Sequence, residues 1–384
     1  MRVVVVGAGI SGLAFAAAMR RKAPAVQVAL YERDLSPFDR PQGYALGIEE
    51  GTGAPALRAL GLDRRVLDGD TVRVTDLTFT DQRGRVLMAL RPSGGDADAT
   101  WRVQRRRLKA ALLGAAGGAE IHYGHDCAGF EATGGGVVVH FDGRPPVEGD
   151  HLVACDGDAS AVRARLVGDA PRFLGLTAIG GDAPIRPDHP LLTGGRFIAL
   201  GRGGTSLLCS AQPGGGVHFS YTLHAGGPGE LDRQGGAELL GRVRRETADW
   251  FELARTIVGA AEPTTVGARD YLDRDPIGSV RRGRVWLLGD AAHPMAPLHG
   301  QGANCGLLHG VRLADWFAAA QQGPRAERLA GQIEAELVER ASRFVLQSRK
   351  RARQLHTTSA FSRTVRDAGF RMAAGTVLKR LARR

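Results

Sequence analysis

The sequence predicts an α/β protein in which a strand-rich block is inserted into a domain made of β-α-β units. Apolar runs at residues 2–6 and 26–31 flank an alanine-rich helical stretch at 13–21, which is the pattern of one β-α-β unit. Residues 173–270 contain short strand-like runs separated by glycine-rich turns, as in an antiparallel sheet. Residues 285–288 then return to a buried-strand pattern, so we expect the first domain to resume after the insertion.

Composition narrows the function classes before any motif is considered. The chain has 384 residues, of which 43% are hydrophobic, and this is enough for about two domains. Its net charge of +11 would suit a nucleic-acid-binding protein, but only four of the 51 basic residues are lysine and the arginines are scattered. We therefore expect no nucleic-acid partner. No run of roughly 20 apolar residues occurs, so we expect no association with a membrane.

The cysteine pattern indicates in which cellular compartment the protein is expected. The four cysteines stand far apart, without a Cys-x-x-Cys pair and without histidines at zinc-finger spacing. Neither a disulfide framework nor a structural metal site is expected from this pattern. A cytoplasmic location fits it best.

The first motif follows the first predicted strand. Gly7-Ala8-Gly9-Ile10-Ser11-Gly12 opens a helix, and in this context the glycines allow a tight turn and the close approach of a pyrophosphate to the helix N-terminus. Glu32 ends the second strand, where a carboxylate can hydrogen-bond ribose hydroxyls, and Arg33 follows it. This part of the chain predicts a Rossmann-like dinucleotide-binding unit, but it does not distinguish NAD from FAD.

The second motif lies in the middle of the chain. Residues 105–113 have a helical pattern, and residues 137–141 and 151–154 are predicted strands around the turn Asp142-Gly143. The latter strand ends in Asp156-Gly157, followed by Ser160 and Arg163. By itself the Asp-Gly pair predicts only a turn.

The third motif follows residues 285–288. Gly289-Asp290 ends this predicted buried strand, and the segment continues through Pro297 to Gly300-Gln301-Gly302-Ala303-Asn304. The Asp290 carboxylate could accept hydrogen bonds from a polyol. The glycine-rich segment begins a helix, whose free N–H groups could face the polar edge of a ring.

These motifs, in this order, resemble the flavoprotein aromatic hydroxylases of the para-hydroxybenzoate hydroxylase type, which are class A FAD-dependent monooxygenases. The resemblance covers about residues 2–316. It implies a discontinuous Rossmann-like FAD-binding domain at 1–172 and 274–323. An antiparallel-sheet substrate domain at 173–273 and a C-terminal helical region at 324–384 complete the expected organisation.

The resemblance also assigns roles to particular residues. It places Glu32 on the adenosine ribose, Asp290 on the ribityl chain of FAD and Arg105 against the flavin. Asp156 and Arg163 would link FAD to a transient nicotinamide site. The other positions assigned to the cofactor site are Gly7, Gly9, Ser11, Gly12, Arg33, Gly289, Pro297, Gly300, Gly302, Ala303 and Asn304.

The chain departs from the family pattern near its last motif. The family usually carries an Asp a few residues after the Asn, and here Leu308-His309 occupies that place. There is also no second GxGxxG motif, so the resemblance implies a nicotinamide cofactor that visits the flavin without a domain of its own. We expect NADPH, because the family uses it more often, with NADH as the other possibility.

The chemistry that the resemblance implies is oxygen transfer. Reduced FAD adds O2 at C4a, and the hydroperoxide hydroxylates or epoxidises an aromatic or polyketide-like small molecule. His299, beside Gly300, is a candidate base for a phenol or enol substrate. Arg196 and His218 are the other candidate catalytic residues, because they resemble the substrate-contacting Arg and His of the tetracycline-inactivating monooxygenases, a compact branch of the family.

Other reactions occur on the same cofactor fold, so the alternatives are a halogenase, an isoprenoid reductase and a redox-neutral flavin cyclase. The Trp-x-Trp-x-Ile-Pro signature of the halogenases is missing. A flavoprotein that serves only as a binding module would hold FAD without substrate-stimulated oxidation of NAD(P)H. The sequence specifies neither the substrate nor the oligomeric state.

The tail predicts a helix with one apolar face. Ile333, Leu337, Ala341, Phe344 and Val345 recur at helical spacing. Although a basic cluster follows at 349–353, we expect this helix to pack across both domains and not on a membrane.

Overall fold

The computed structural model describes residues 1–39, 45–63, 71–90, 100–319 and 324–381. The predicted domain boundary at 323 and the last three residues of the tail lie outside the described residues. The strands are β1 (Arg2–Val6), β2 (Gln27–Glu32), β3 (Leu46–Glu49), β4 (Thr71–Val74), β5 (Asp76–Asp81), β6 (Val86–Leu90), β7 (Thr100–Val103), β8 (Glu120–Tyr123), β9 (Cys127–Ala132), β10 (Val137–Phe141), β11 (Arg144–Gly149), β12 (His151–Ala154), β13 (Arg172–Ala183), β14 (Gly195–Leu200), β15 (Ser206–Ala211), β16 (Val217–His224), β17 (Gly267–Asp273), β18 (Arg281–Arg282) and β19 (Val285–Leu287).

The helices connect these strands and form the C-terminal part of the chain. They are α1 (Ile10–Lys22), α2 (Gly53–Ala59), α3 (Arg105–Ala115), α4 (Ala161–Val167), α5 (Pro190–Thr193), α6 (Gly236–Glu246), α7 (Glu252–Ala260), α8 (Gly302–Ala319), α9 (Pro324–Leu355) and α10 (Ala360–Leu381). Of the helices in these described ranges, none is long and apolar enough to cross a membrane. The predicted α/β class is confirmed.

The chain divides into two compact units, each built from separate segments. Unit 1 comprises Met1–Gly69, Val103–Arg172 and Leu272–Ser348. Unit 2 comprises Asp70–Arg102, Phe173–Tyr271 and Arg349–Arg384.

Unit 1 is organised around a six-stranded sheet with the order β18-β19-β12-β1-β2-β8. The strands β19, β12, β1, β2 and β8 run parallel, and β18 is antiparallel to β19. Residues 3–6 of the central strand β1 are buried, which explains why this strand is a continuous run of valines. Because parallel strands end at the same edge, the three motifs that follow β1, β12 and β19 meet there.

Two helices of unit 1, α1 and α8, pack closely because glycines lie at their contact. A Cβ atom at Gly306 would lie 2.5 Å from Ser11 Oγ, and one at Gly310 would lie 2.7 Å from Phe15 N. The glycines therefore bring the first turns of the two helices together at the edge of the sheet where the motifs meet.

Unit 2 contains a seven-stranded sheet with the order β17-β13-β16-β15-β14-β5-β6. The pairs β13–β16, β16–β15, β15–β14 and β5–β6 are antiparallel, as predicted for the insertion, but β14 and β5 are parallel. One face of this sheet packs against α6 and α7 in a buried hydrophobic core that includes Phe197, Cys209 and Phe219. Since side chains alternate along a strand, their neighbours 196, 210 and 218 point to the opposite face.

The units differ from the predicted domains in two places. Residues 70–102 lie in unit 2, because β5 pairs with β14 over six residues, from Asp76 with Gly195 to Asp81 with Leu200. Residues 349–384 also lie in unit 2, whereas residues 324–348 belong to unit 1. Neither difference could be inferred from motif positions, because both depend on which distant segments pair.

A smaller difference concerns the turn at Asp142-Gly143. This turn joins β10 to β11, and β9, β10 and β11 form a separate antiparallel sheet. Strand β12, predicted to follow this turn, lies in the main sheet beside β1. Strand β11 was not predicted because it contains two prolines, and proline is unfavourable in most strands.

The apolar face predicted for the tail helix is confirmed in unit 1. Ile333, Leu337, Ala341 and Val345 are at most 1% exposed, whereas Phe344 is only half-buried. This face of α9 therefore packs on protein, as expected from its helical spacing.

Candidate functional site

The glycines of the first motif serve two purposes. Gly7 has φ +94°, and a Cβ atom there would overlap the carbonyl oxygen of Cys155. A Cβ atom at Gly12 would overlap the carbonyl oxygen of Gly7. At Gly9, by contrast, no described atom lies within 4 Å of the Cβ position. The fold itself requires Gly7 and Gly12, whereas Gly9 leaves open space where a ligand can approach the backbone.

Gly9 is also the residue that precedes α1. Its backbone is extended, no side chain caps the helix and no acidic residue lies in the first turn. The N–H groups at the start of α1 are therefore available to an anion, which is the arrangement that binds a pyrophosphate in dinucleotide folds.

Glu32 lies beside this loop, at the end of β2. The residue is 6% exposed; its Oε2 accepts a hydrogen bond from Ala8 N (2.7 Å) and its Oε1 accepts one from Asp34 N (3.0 Å). These bonds fix the carboxylate against the glycine loop. Arg33 points outward and is exposed.

Asp156 follows β12 next to the glycine loop. Burial raises the pKa of its carboxyl group, against the opposing effect of hydrogen bonds from Ser160 and from the backbone N–H groups of residues 161 and 162. Its Oδ1 atom is buried and accepts no hydrogen bond from the part of the chain that the structure describes. A buried acceptor of this kind is costly unless a ligand or water satisfies it. Asp156 is thus suited to a ligand hydroxyl group.

Arg163, which the resemblance assigns to a link between FAD and a nicotinamide site, has its side chain within the protein. The side chain is fully buried. Its guanidinium donates to the Asp169 carboxylate (Nη2 to Oδ2, 2.6 Å), to Asp275 O (2.9 Å) and to Ala292 O. The bond to Ala292 O ties α4 to the segment that carries Asp290.

Asp290 begins where β19 ends, and it is exposed. Its Oδ1 lies 3.7 Å from the Cβ position at Gly302, the first residue of α8. Gly289 has φ +58°, and a Cβ atom there would overlap Ser11 Oγ. The Ser11 side chain therefore lies in the space that Gly289 and Gly306 leave.

The side chain of Asn304, which was assigned to the cofactor site, makes its described hydrogen bonds to the protein backbone. It is fully buried in α8. Its Nδ2 donates to Gly47 O and Gly300 O (both 2.8 Å), and its Oδ1 accepts from Glu49 N (3.0 Å). The amide thereby ties β3 to the start of α8. The adjacent positions Ala303 and Gly302 are half-buried.

The remaining unit 1 residues predicted for the site lie at helix starts and turns. Arg105 is the first residue of α3 and is half-buried, whereas the neighbouring Arg106 stacks on the Phe38 ring at 4.9 Å. Pro297 and His299 form a short 3-10 turn that ends at Gly300, which has φ +66°. Pro297 and Gly300 are exposed, and His299 is half-buried.

The sequence did not predict a pair of buried histidines, of which one follows Asp290 and the other lies in α8. The rings of His293 and His309 lie edge to face with centroids 5.6 Å apart, and no hydrogen-bond partner contacts their four nitrogens among the described residues. Burial, assisted by the charge of Arg340, lowers the pKa of His309 to about 3. Burial, with smaller effects of His309 and Arg163, lowers the pKa of His293 well below its usual value. Both imidazoles are therefore neutral near pH 7.

The two unit 2 residues predicted for the site belong to one line across the sheet. Arg196 on β14 pairs with Ser210 on β15, Ser210 pairs with His218 on β16, and His218 pairs with Asp182 on β13. We call these four residues the polar row. Directly paired residues share a face, so the polar row lies on the face turned away from α6 and α7. Sequence reasoning missed Ser210 and Asp182, because strand pairing alone brings them beside His218.

The arrangement in unit 1 fits a dinucleotide such as FAD. The start of α1 and the open space at Gly9 suit a pyrophosphate, and the carboxylates of Glu32, Asp156 and Asp290 suit hydroxyl groups. Among the described residues, no cluster of His, Cys, Asp and Glu could hold a metal ion.

Comparisons with known proteins agree with this geometry. The sequence pattern of the FAD binding domain family matches residues 1–179 and 271–348. A monooxygenase of Aspergillus candidus, cfoF, is 32% identical over 93% of this chain and 91% of its own length. The 3-amino-4-hydroxybenzoate 2-monooxygenase of Streptomyces cremeus is 29% identical over 97% of this chain and 92% of its own.

Solved structures extend the likeness to the fold. The structure of Klebsiella pneumoniae HpxO in complex with FAD and uric acid superposes on this chain with a TM-score of 0.84, and the two sequences are 24% identical. The superposition covers 98% of this chain and 94% of the HpxO chain. The tetracycline destructase Tet(51) superposes with a TM-score of 0.64 at 18% sequence identity. That superposition covers 98% of this chain and 97% of the Tet(51) chain. At these identities the structures demonstrate a shared fold.

Proposed function

This chain belongs to the FAD binding domain family, and on this basis we propose that it is an FAD-dependent monooxygenase that takes electrons from NADPH and oxygenates a small organic molecule. The observation that carries the proposal is the meeting of the motif residues Gly9, Glu32, Asp156 and Asp290 at one edge of a parallel sheet. The parallel strands bring these motifs to one edge, and the open space and carboxylates that they place there support a shared dinucleotide ligand.

Different residues of unit 1 bind different parts of FAD. The start of α1 and Gly9 bind the pyrophosphate, Glu32 binds the adenosine ribose, and Asp290 accepts hydrogen bonds from the ribityl chain. Bound FAD supplies the electron transfer and the activation of O2 that amino-acid side chains cannot perform.

The substrate we propose is an aromatic or polyketide-like molecule with hydroxyl groups. The similar Streptomyces cremeus protein is named for an aminohydroxybenzoate, and the similar HpxO structure holds uric acid. Arg196 and His218 would contact the substrate from the polar row, and His299 would be a second candidate base. NADH in place of NADPH, and epoxidation in place of hydroxylation, are variants of the same proposal.

One assay tests this function. We would supply the FAD-loaded protein with NADPH or NADH and with 3-amino-4-hydroxybenzoate, uric acid or tetracycline, and follow NAD(P)H loss, O2 uptake and product mass. A substrate should stimulate NAD(P)H loss and gain one oxygen atom. Bound flavin without stimulated oxidation by any compound would favour the binding-module alternative, and a product without added oxygen would favour a reductase or cyclase.

Replacing Asp290 is expected to weaken FAD binding. Asp290→Ala removes a charged acceptor, and a hydrogen bond to a charged group contributes about 1.5 to 3 kcal/mol, so Kd for FAD should rise about tenfold to a hundredfold. Quenching of FAD fluorescence during titration of the apo-protein would measure it. Glu148→Ala, which removes an exposed carboxylate on β11, should leave Kd unchanged. Equal Kd values for Asp290→Ala and the wild type would contradict the assignment.

A further inference from the structure

The last helix, α10, carries apolar side chains on two sides. On its inner side the rings of Phe370 and Phe79 are 5.0 Å apart, and the guanidinium of Arg366 donates to Leu355 O (2.7 Å). Both inner residues of the helix are half-buried, and all four belong to unit 2. The outer side carries a second set of apolar residues, so packing on unit 2 does not account for all of the apolar surface of this helix.

The exposed set, which we call the outer stripe, consists of Phe361, Val365, Ala368 and Met372. At 3.6 residues per turn, their Cα atoms fall within an arc of about 60° when they are seen along the helix axis. Phe361 is 79% exposed, Val365 is 54% exposed and Met372 is 74% exposed, and Ala368 is exposed as well. Large apolar side chains in one exposed line differ from the single exposed apolar residues that are normal on protein surfaces.

The spacing of the outer stripe is the same in both directions along the helix. Its members follow one another at steps of four, three and four residues. Two copies of the helix that pack antiparallel about a two-fold axis therefore place Phe361 against Met372 of the second copy, and Val365 against Ala368. The first pair gains a sulfur–aromatic contact, and the small Ala368 lets the two helices approach closely near the axis. The outer stripe is thus complementary to itself, as a two-fold interface requires.

The charges around the outer stripe are compatible with this pairing. Within residues 360–372, whose exposure the structure describes, Arg371 is the only exposed charged residue. In the antiparallel register the two copies of Arg371 lie about 14 Å apart along the axis, which exceeds the screening length of about 8 Å at physiological ionic strength. Arg366 and Asp367 are paired with each other (Nε to Oδ1, 2.9 Å). No like charges therefore meet in this pairing of residues 360–372.

We propose that the outer stripe is the interface of a homodimer, in which α10 packs antiparallel on α10 of a second copy of this chain. The charge pattern favours a second copy over an anionic membrane, because basic clusters that bind such membranes contain about four to eight Lys or Arg residues. A helix contact about 17 Å long is small beside a standard interface of roughly 1,600 Å². The dimer is therefore weak, with a Kd on the order of 10 to 100 µM.

Sedimentation velocity of the FAD-loaded protein tests for the dimer. Between about 1 and about 300 µM, the mean mass should rise from the 40.7 kDa of one chain towards twice that value, as mass action requires. Val365→Glu should raise Kd at least about tenfold, because two carboxylates would then meet beside the axis. Val167→Glu, at a 44% exposed valine at the end of α4, is the matched control and should dimerise as the wild type does.

A second variant removes apolar surface without adding charge. Phe361→Ser should also weaken the dimer, and both variants should keep the melting temperature of the dilute wild type because the two side chains are exposed. A wild type that stays monomeric at every concentration would overturn the proposal. Normal dimerisation of Val365→Glu and Phe361→Ser would overturn it too, since the contact would then use another surface.

Thiol cross-linking tests the direction of the two helices. In the antiparallel pairing, the two copies of residue 365 lie about 4.5 Å apart along the axis, whereas the two copies of residue 361 lie about 17 Å apart. Val365→Cys should therefore form a disulfide-linked dimer under mild oxidation, and Phe361→Cys should not. The wild type measures the background from the four native cysteines. Equal cross-linking of both variants above this background would indicate parallel helices and would overturn the proposed interface.

Vesicles test the membrane alternative. At physiological salt the protein should stay in the supernatant when phosphatidylcholine vesicles are sedimented, with or without added phosphatidylserine. Selective binding to the phosphatidylserine vesicles that Phe361→Ser abolishes, in a protein that does not dimerise, would assign the outer stripe to a membrane and overturn the homodimer. None of these measurements uses NADPH or a substrate, so their outcome is independent of the monooxygenase function.

Discussion

Gly12→Ala is expected to destabilise the FAD-free protein and to abolish FAD binding, whereas Gly9→Ala is expected to weaken FAD binding without destabilising the fold. The reason is the different surroundings of the two Cβ positions. At Gly12 the new methyl group overlaps the carbonyl oxygen of Gly7, which is backbone and cannot move aside easily. At Gly9 no described atom lies within 4 Å, and φ is −77°, which alanine adopts without strain.

The expected effects are large enough to separate the two variants. Overpacking costs about 1 to 3 kcal/mol, so the melting temperature of apo Gly12→Ala should fall by several degrees, while apo Gly9→Ala should melt as the wild type does. Kd for FAD should rise at least about tenfold in Gly9→Ala, because the methyl group occupies the space of the pyrophosphate. Unchanged FAD affinity in Gly9→Ala would place the pyrophosphate elsewhere.

Acidification from pH 7 towards pH 4 is expected to destabilise the apo-protein steeply through three buried histidines. Burial lowers the pKa of His309 to about 3, that of His356 to about 4 and that of His293 well below its usual value. In the unfolded chain each titrates near about pH 6.5, so below this pH the unfolded state binds more protons than the folded state. Stability from these groups is complete above that pH and is lost as the pH falls towards the folded pKa values.

The change of the free energy of unfolding with pH has an upper limit and can be assigned to particular histidines. Each such histidine contributes up to about 1.4 kcal/mol per pH unit, so the three together contribute up to about 4 kcal/mol per unit between pH 6 and pH 4. Urea titrations at pH 8, 6 and 5 would measure it. His309→Gln and His356→Asn should each reduce the slope. An unchanged slope in both variants would show that other groups dominate acid denaturation.

The cofactor loops were predictable because their constraints are local. The spacing of Gly7, Gly9 and Gly12, the acid at Glu32 and the Gly289-Asp290 turn each follow a recognisable strand, and the structure has all of them at the expected strand ends. A glycine with positive φ or a carboxylate at the end of a parallel strand needs only a short stretch of chain to be recognised.

The roles of Arg163 and Asn304 were not predictable in the same way. Both residues stand in motifs, and both form hydrogen bonds with segments that are distant in sequence. Arg163 donates to Asp275 O and Ala292 O. Asn304 donates to the backbone carbonyl of residue 47 and accepts from the backbone N–H of residue 49. A motif specifies a residue type at a position, but hydrogen-bond partners supplied by other segments decide whether its polar atoms face a ligand or the protein.

By itself, the sequence determined the α/β class, the FAD family and the glycine loops that follow the parallel strands, because glycine spacing and the apolar periodicity of strands act over short distances. Only the tertiary structure decided that β5 joins the sheet of unit 2, that His293 meets His309, and that Asp182 lies beside His218. The physical reason is that strand register and helix packing are fixed by the burial of whole faces and by hydrogen bonds between distant segments. No single segment carries that information.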